Sequence, residues 1–377
     1  MTGHRLQSLD AFRGATIAAM VLVNDPGSLE HIYPQLRHAA WHGWTFTDWI
    51  FPFFLFIVGV AMTFSFARRL EEGANKRALM LHVVRRSAII FALGLLVNGF
   101  PFWLDPDFSL DTFRIPGVLQ RIAICYLIAG FIFLTVSERG QIGWIVMLLG
   151  VYWLMVKLIP VPGYGAGFLE PKGNLLWYVD STVFGRHTWA YAPAQGFDPE
   201  GILSTAPAIA TTLIGVLTGR WLRSSHGGEE KTAWMFVIGN TLLLLGIILD
   251  MWLPINKNMW TSSYVVFMAG WSLICLAVFY WLIDVKGCAR WSKPFVILGM
   301  NAIALYVLAE LLWSTLWVVT WTQAGGTTTA LHDFIFNTIF APLASPINAS
   351  LFFAITYVLL IFAVGWFLYR RRWFIRV

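Results

Sequence analysis

About ten times along this chain the hydrophobic residues run on for roughly 18 to 25 positions, enough to cross a hydrocarbon core of about 30 Å as a helix. That recurrence limits the fold more than any other feature. The alternating ~10-residue strands of a membrane barrel are not seen, so the expected class is an all-α polytopic membrane protein. Composition agrees: of 377 residues 58% are hydrophobic and 12% charged. Soluble domains carry about 25% charged residues, so a cytosolic globular enzyme is excluded.

Apolar windows set against charged breaks place transmembrane helices near 11–26, 45–66, 87–103, 117–136, 142–159, 203–220, 233–250, 263–283, 294–318 and 350–369. The start lacks a small-residue cleavage site behind a short apolar core, so the first span is expected to be kept. Of the 26 Lys and Arg, 19 fall at the ends and turns shared with the two termini and seven on the other side. The positive-inside rule then expects both termini to be cytoplasmic and the longer loops, 25–44, 104–116, 160–202, 251–262 and 319–349, to be external. With no linker or soluble segment in view, residues 1–377 read as a single transmembrane domain. Neither a nucleic-acid motif nor a metal-ligand spacing of Cys125, Cys275 and Cys288 is found, so no nucleic acid, disulfide framework or metal is expected.

A charge inside a span costs at least ~2.5 kcal/mol on insertion scales, so each needs a partner or a task. Asp10 and Arg13 are i,i+3 neighbours at the start of span 1, and Arg13 shares a helical stripe with Asn24 about 16 Å further along the axis. A helix-anchoring salt bridge explains Asp10 and Arg13 equally well. The next segment carries His31, His38 and His42 and ends on Asp48 at the lip of span 2. A histidine beside Trp41, Trp44 and a carboxylate suits a tuned general base, an interfacial loop histidine, or, through the i,i+4 spacing of His38 and His42, a metal ligand. Arg121 lies one turn inside span 4 with Arg114 above it, and an ion pair with a carboxylate such as Asp48 is its simplest role. Glu310 lies within span 9, with Asn301 earlier in the same run. Glu200 and Ser204 suit a helix N-terminus, while Asn256 and Lys257 stand ahead of span 8. Polar and aromatic groups of this kind around a cavity suit a sugar.

The runs RLQSLDAFRG, VLVNDPGS, HAAWHGWTFTDWIFPFFLFIVGVAM, RIPGVLQRIAICY, DPEGILST and INKNMWTSSYV, in order from residue 5 to about 310, resemble the heparan-α-glucosaminide N-acetyltransferase family, in its bacterial, membrane-only form. The resemblance implies a multi-pass protein of the bacterial inner membrane that moves acetyl from cytoplasmic acetyl-CoA to the amine of glucosamine or another amino-sugar outside. It implies His38 as the catalytic histidine and Asn24 as an active-site asparagine; His42 stands where the lysosomal pattern has Asn.

Chemistry fits that implication. The phosphates of CoA cannot cross a bilayer, so Arg13, Arg85 and Arg86 are expected to hold them at the basic face. Asp48, Arg121, Glu200, Asn256 and Lys257 are expected to bind the acceptor. His38 would take the amine proton, Asn24 would orient the amine or donate to the thioester oxygen, and an acetyl-histidine route is the alternative. The competing class is an N-acetylglucosamine transporter, although no repeat between the halves supports it. A homodimer is compatible with this reading.

Overall fold

The structure, a computed structural model, describes residues 6–103, 108–322 and 328–375. Thirteen α-helices are described: α1 (Gln7–Asn24), α2 (Ile50–Glu71), α3 (Lys76–Gly99), α4 (Val118–Thr135), α5 (Glu138–Leu158), α6 (Leu175–Val183), α7 (Ile202–Arg223), α8 (Gly228–Asp250), α9 (Ser262–Tyr280), α10 (Lys293–Met300), α11 (Ala302–Val318), α12 (Leu331–Ile335) and α13 (Pro346–Arg370). The described strands form two small antiparallel ribbons, Pro160–Val161 with Gly165–Ala166 and Thr320–Thr322 with Thr328–Ala330. The protein is an all-α polytopic membrane protein. Arg5 and Arg376, counted above with the basic residues, lie outside the described residues.

Among the described residues eight helices, α2–α5, α7–α9 and α13, are long and apolar enough to cross a membrane. The pair α10–α11 would be a ninth, but it bends by 71°. Helix α1 fills the place of the first expected span with 18 residues, yet Asp10 and Arg13 dilute its apolarity. The helices sort into two tiers. The most apolar window of α7 is 72% buried, against 22% in each of α3, α5 and α8, so α7 lies inside and the other three present side chains to lipid.

Glycines set the tightest crossings. A Cβ on Gly215 of α7 would stand 2.1 Å from the carbonyl oxygen of Phe56 on α2, and one on Gly59 would stand 2.0 Å from that of Thr212. Gly215 and Gly219 form a GxxxG pair, which lets backbones touch and gain dispersion and interhelical hydrogen bonds where lipid offers no hydrophobic drive. Thr63 Oγ1 donates across this contact to Val216 O at 3.1 Å. On the other side of the bundle Gly14 of α1 meets the Phe295 carbonyl of α10.

The expected continuous span 294–318 is broken at Asn301. Its amide donates to Trp373 O at 3.1 Å and accepts from Ile375 N at 2.9 Å, so the segment after α13 satisfies a side chain buried at the bend. A polar residue inside an apolar run is stable there because the chain folds back to meet it.

Replacing Gly215 by Val should cost about 1–3 kcal/mol or more through overpacking. Gly143→Ala on lipid-facing α5, where a new Cβ meets nothing within 4 Å, should cost nothing. Thermal unfolding of the detergent-purified variants checks this; equal melting temperatures would show that the α2–α7 contact is not close-packed.

Candidate active site

The loop-rich end of the bundle is built from residues 25–49, 108–117, 159–201 and 251–261. Its centre is Asp48. The run Thr45-Phe46-Thr47-Asp48 forms a capping box ahead of α2, with Asp48 Oδ2 accepting from Thr45 N at 2.9 Å and from Ala39 N at 3.1 Å. The other oxygen, Oδ1, lies 2.7 Å from His38 Nδ1. A carboxylate that accepts two backbone N–H bonds is ionised, so Nδ1 carries the proton and the Nε2 lone pair remains for chemistry. Asp48 is 1% exposed, while the His38 side chain is 47% exposed. Burial lowers the His38 pKa from 6.5, Lys257 lowers it further, and Asp48 works against both.

Lys257 comes from the Pro254–Thr261 turn. Its Nζ stands 3.1 Å from both Nδ1 and Nε2 of His38 and 4.0 Å from Asp48 Oδ1. The turn is held from inside: Asn256 Oδ1 accepts from Met259 N at 2.8 Å, and its Nδ2 lies 3.2 Å from His42 Nδ1. Both polar atoms of the Asn256 amide are thereby engaged within the fold, and the residue is fully buried. His38 and His42 thus turn to different partners, and among the described residues no group of three or more His, Cys, Asp or Glu could hold a metal.

A second polar cluster lies beside the first. Arg114 donates to Asp198 through Nε at 2.9 Å and Nη2 at 2.8 Å, and to Glu200 Oε2 at 2.6 Å. Burial raises the Glu200 pKa, but Arg114, Arg121 and Lys257 pull it below its usual value. Arg121 does not pair with Asp48 as the sequence suggested. It donates to Pro199 O at 2.7 Å and to Ser204 Oγ, and its guanidinium lies 5.1 Å from the Trp260 ring centroid. Nor does Glu200 or Ser204 cap α7: Asp180 of α6 does so, accepting from Ile202 N at 3.1 Å. Burial pushes the Asp180 carboxyl up to about 7.

The residues expected to serve a cofactor lie apart from this centre. Arg13 donates to Asp10 Oδ1 at 3.2 Å and to Gly299 O at 3.4 Å, joining α1 to α10. Arg85 is exposed, and Arg86 lies 4.9 Å over Tyr126 with its Nε buried and unpaired among the described residues. Arg220, counted in the sequence only as a basic residue, repeats this arrangement 4.8 Å over Phe133. Asn24 is exposed at the last turn of α1.

The model of the heparan-alpha-glucosaminide N-acetyltransferase catalytic region matches residues 5–249. The chain belongs to this family. Among curated members it is 31% identical to the Homo sapiens heparan-alpha-glucosaminide N-acetyltransferase over 352 residues, covering 80% of this chain and 52% of the human protein. The Mus musculus enzyme is 30% identical over 82% of this chain and 54% of its own length. The chain therefore spans about half the length of these relatives. The matched family region contains Asn24, His38, Asp48, Arg121 and Glu200, whereas Asn256 and Lys257 lie beyond it.

Arg114→Ala should destabilise the protein by about 3–5 kcal/mol, because it strands Asp198 and Glu200 without their cation. Arg114→Lys should recover only part of this, since an ammonium lacks the forked donors that grip both carboxylates. Melting curves test the order; an Ala variant as stable as the parent would make the cluster incidental.

Proposed function

We propose that the protein transfers an acetyl group from acetyl-CoA, entering at the basic end, to the amine of glucosamine or a related amino-sugar at the loop-rich end. The reading that fits is a multi-pass protein of a bacterial inner membrane with both termini cytoplasmic. One observation carries it: Asp48 accepts the Nδ1–H of His38, which leaves the Nε2 lone pair of a half-exposed imidazole free to take a proton. Membership of a family whose curated relatives are named as N-acetyltransferases supports the same chemistry.

In this mechanism His38 Nε2 removes a proton from the acceptor ammonium, because a protonated amine has no lone pair. The amine nitrogen then attacks the thioester carbonyl, a C–N bond forms, the second proton of that nitrogen passes to solvent water, and the C–S bond breaks. The CoA thiolate leaves and takes up the proton held by His38, which returns the imidazole to its neutral form. Asn24 is assigned to orient the amine or to donate to the carbonyl oxygen as negative charge grows on it. Glu200 and Asp48 supply negative charge near the acceptor amine, and Arg121 and Asn256 shape the wall behind them.

The phosphates of CoA stay at the basic end, with Arg13, Arg85 and Arg86 as their ligands and Arg220 added to the set. Tyr126 and Phe133, the rings under Arg86 and Arg220, are about two helical turns apart on α4, so the two guanidiniums follow one face of that helix inward. Unpaired buried Nε donors are what an incoming phosphate would satisfy. Arg86→Ala and Arg220→Ala should each weaken CoA binding about tenfold or more in titration calorimetry; unchanged affinity in both would move the nucleotide elsewhere.

His38→Ala should lower acetyl transfer 10²- to 10⁴-fold, measured as radiolabelled acetyl passed from acetyl-CoA to glucosamine. Its lowered pKa keeps the imidazole neutral below pH 6.5, so the acid limb of the wild-type rate should lie under that value. A folded His38→Ala protein with near-normal transfer would sink the assignment, and the acceptor amine's own titration is the control.

A further inference from the structure

Lys257 was assigned to the acceptor from its sequence position, but its ammonium is turned onto His38. Equal distances of 3.1 Å to both ring nitrogens have a geometric consequence. An in-plane approach at that range would collide with Cε1, and a hydrogen bond along either lone pair would bring one nitrogen closer than the other. Nζ therefore sits over the face of the imidazole. A cation there is attracted to a neutral ring and repelled by a protonated one.

We propose that Lys257 is a positioning residue that keeps His38 in its neutral, base-competent form while Asp48 fixes the ring's tautomer. This deepens the acetyl-transfer reading and rests on it for its purpose, though not for its measurement. The charged groups facing the imidazole are Asp48 at the start of α2, Lys257 ahead of α9 and Glu200 ahead of α7, with Arg121 of α4 behind Lys257. Asp48 alone would favour the imidazolium by direct pairing, and protonated His38 would no longer accept a proton. The Lys257 ammonium offsets that pull. Its side chain is 18% exposed; burial, with Arg121, lowers the Lys257 pKa from its ordinary 10.5, and Asp48 and Glu200 oppose that fall.

Diethylpyrocarbonate acylates neutral imidazole and reports the protonation of His38 without any acetyl transfer. His38 modification in the purified full-length protein, followed by peptide mass spectrometry against pH, should show its midpoint about one pH unit or more higher in Lys257→Met than in the wild type. Lys257→Arg, which keeps the charge, should retain the wild-type midpoint, and Lys257→Gln should follow Met. His42, whose charged neighbours are Glu170 and Asp250, should not move and serves as the internal control. The acid limb of acetyl transfer should shift with the His38 midpoint. An unshifted midpoint in both Lys257→Met and Lys257→Gln, or an equal shift in Lys257→Arg, would overturn the proposal. A His38 midpoint that moves as expected in a protein that transfers no acetyl would leave the Lys257 role standing and defeat the acetyltransferase reading instead.

Discussion

Asp48 divides its two oxygens between a helix end and an imidazole, and the loop-rich end is organised around that division. Oδ2 closes the first turn leading into α2 and ties Ala39 back to it. Oδ1 then has one direction left, and His38 fills it. The same turn presents the Asp48 carbonyl to the Tyr264 hydroxyl at 2.6 Å, which joins α2 to α9. Burial alone would favour the protonated acid, but the backbone donors, the His38 N–H and the Lys257 ammonium keep the carboxylate ionised and fixed in place. The imidazole inherits that rigidity, so its free nitrogen is aimed before any acceptor arrives.

The membrane explains why this chemistry gathers at one end. Backbone polar groups in hydrocarbon must be satisfied internally, so irregular segments are confined to the ends of the bundle or to protein-lined interior. Cations that intrude are neutralised in different ways. Arg114, at the edge, receives two carboxylates. Arg121, a turn deeper, receives carbonyl oxygens and an aromatic face, which cost less to desolvate than a second buried ion. The glycine crossings of α2 with α7 and α1 with α10 draw the backbones together within the bundle. The loops on either side of these crossings then come within hydrogen-bond reach.

The spans were legible because length and apolarity are local properties, and the family motifs were legible because they are contiguous. The capping box Thr45–Asp48 was equally open to reading, since T-x-x-D ahead of an apolar run is a helix-start signal. A carboxylate beside His38 could be expected from ten residues of separation. Lys257 could not be placed, because it stands 219 positions from His38 in the sequence and no periodicity links a turn to a loop. The break at Asn301 was hidden for a related reason: its partners, Trp373 and Ile375, are more than seventy residues away. Asp180 was missed because an acid in an amphipathic helix reads as a solvated face until the fold buries it under α7.

Trp260 shows how the two polar clusters constrain each other. It is a non-glycine residue with φ +52°, a backbone state that costs about 1–2 kcal/mol for an ordinary L-residue. Its indole lies under Arg121, packs edge-on against Phe51 and Tyr264, and donates to Thr211 Oγ1 at 3.2 Å. Its backbone N–H donates to Lys257 O at 3.0 Å and closes the turn that carries the lysine. A glycine here would relieve the backbone but leave Arg121 without its aromatic face. One strained residue therefore shields the deep cation and sets the orientation of the outer one. Because its ring is fixed by packing on three sides, the turn has one conformation available, and the distance from Lys257 to His38 follows from it.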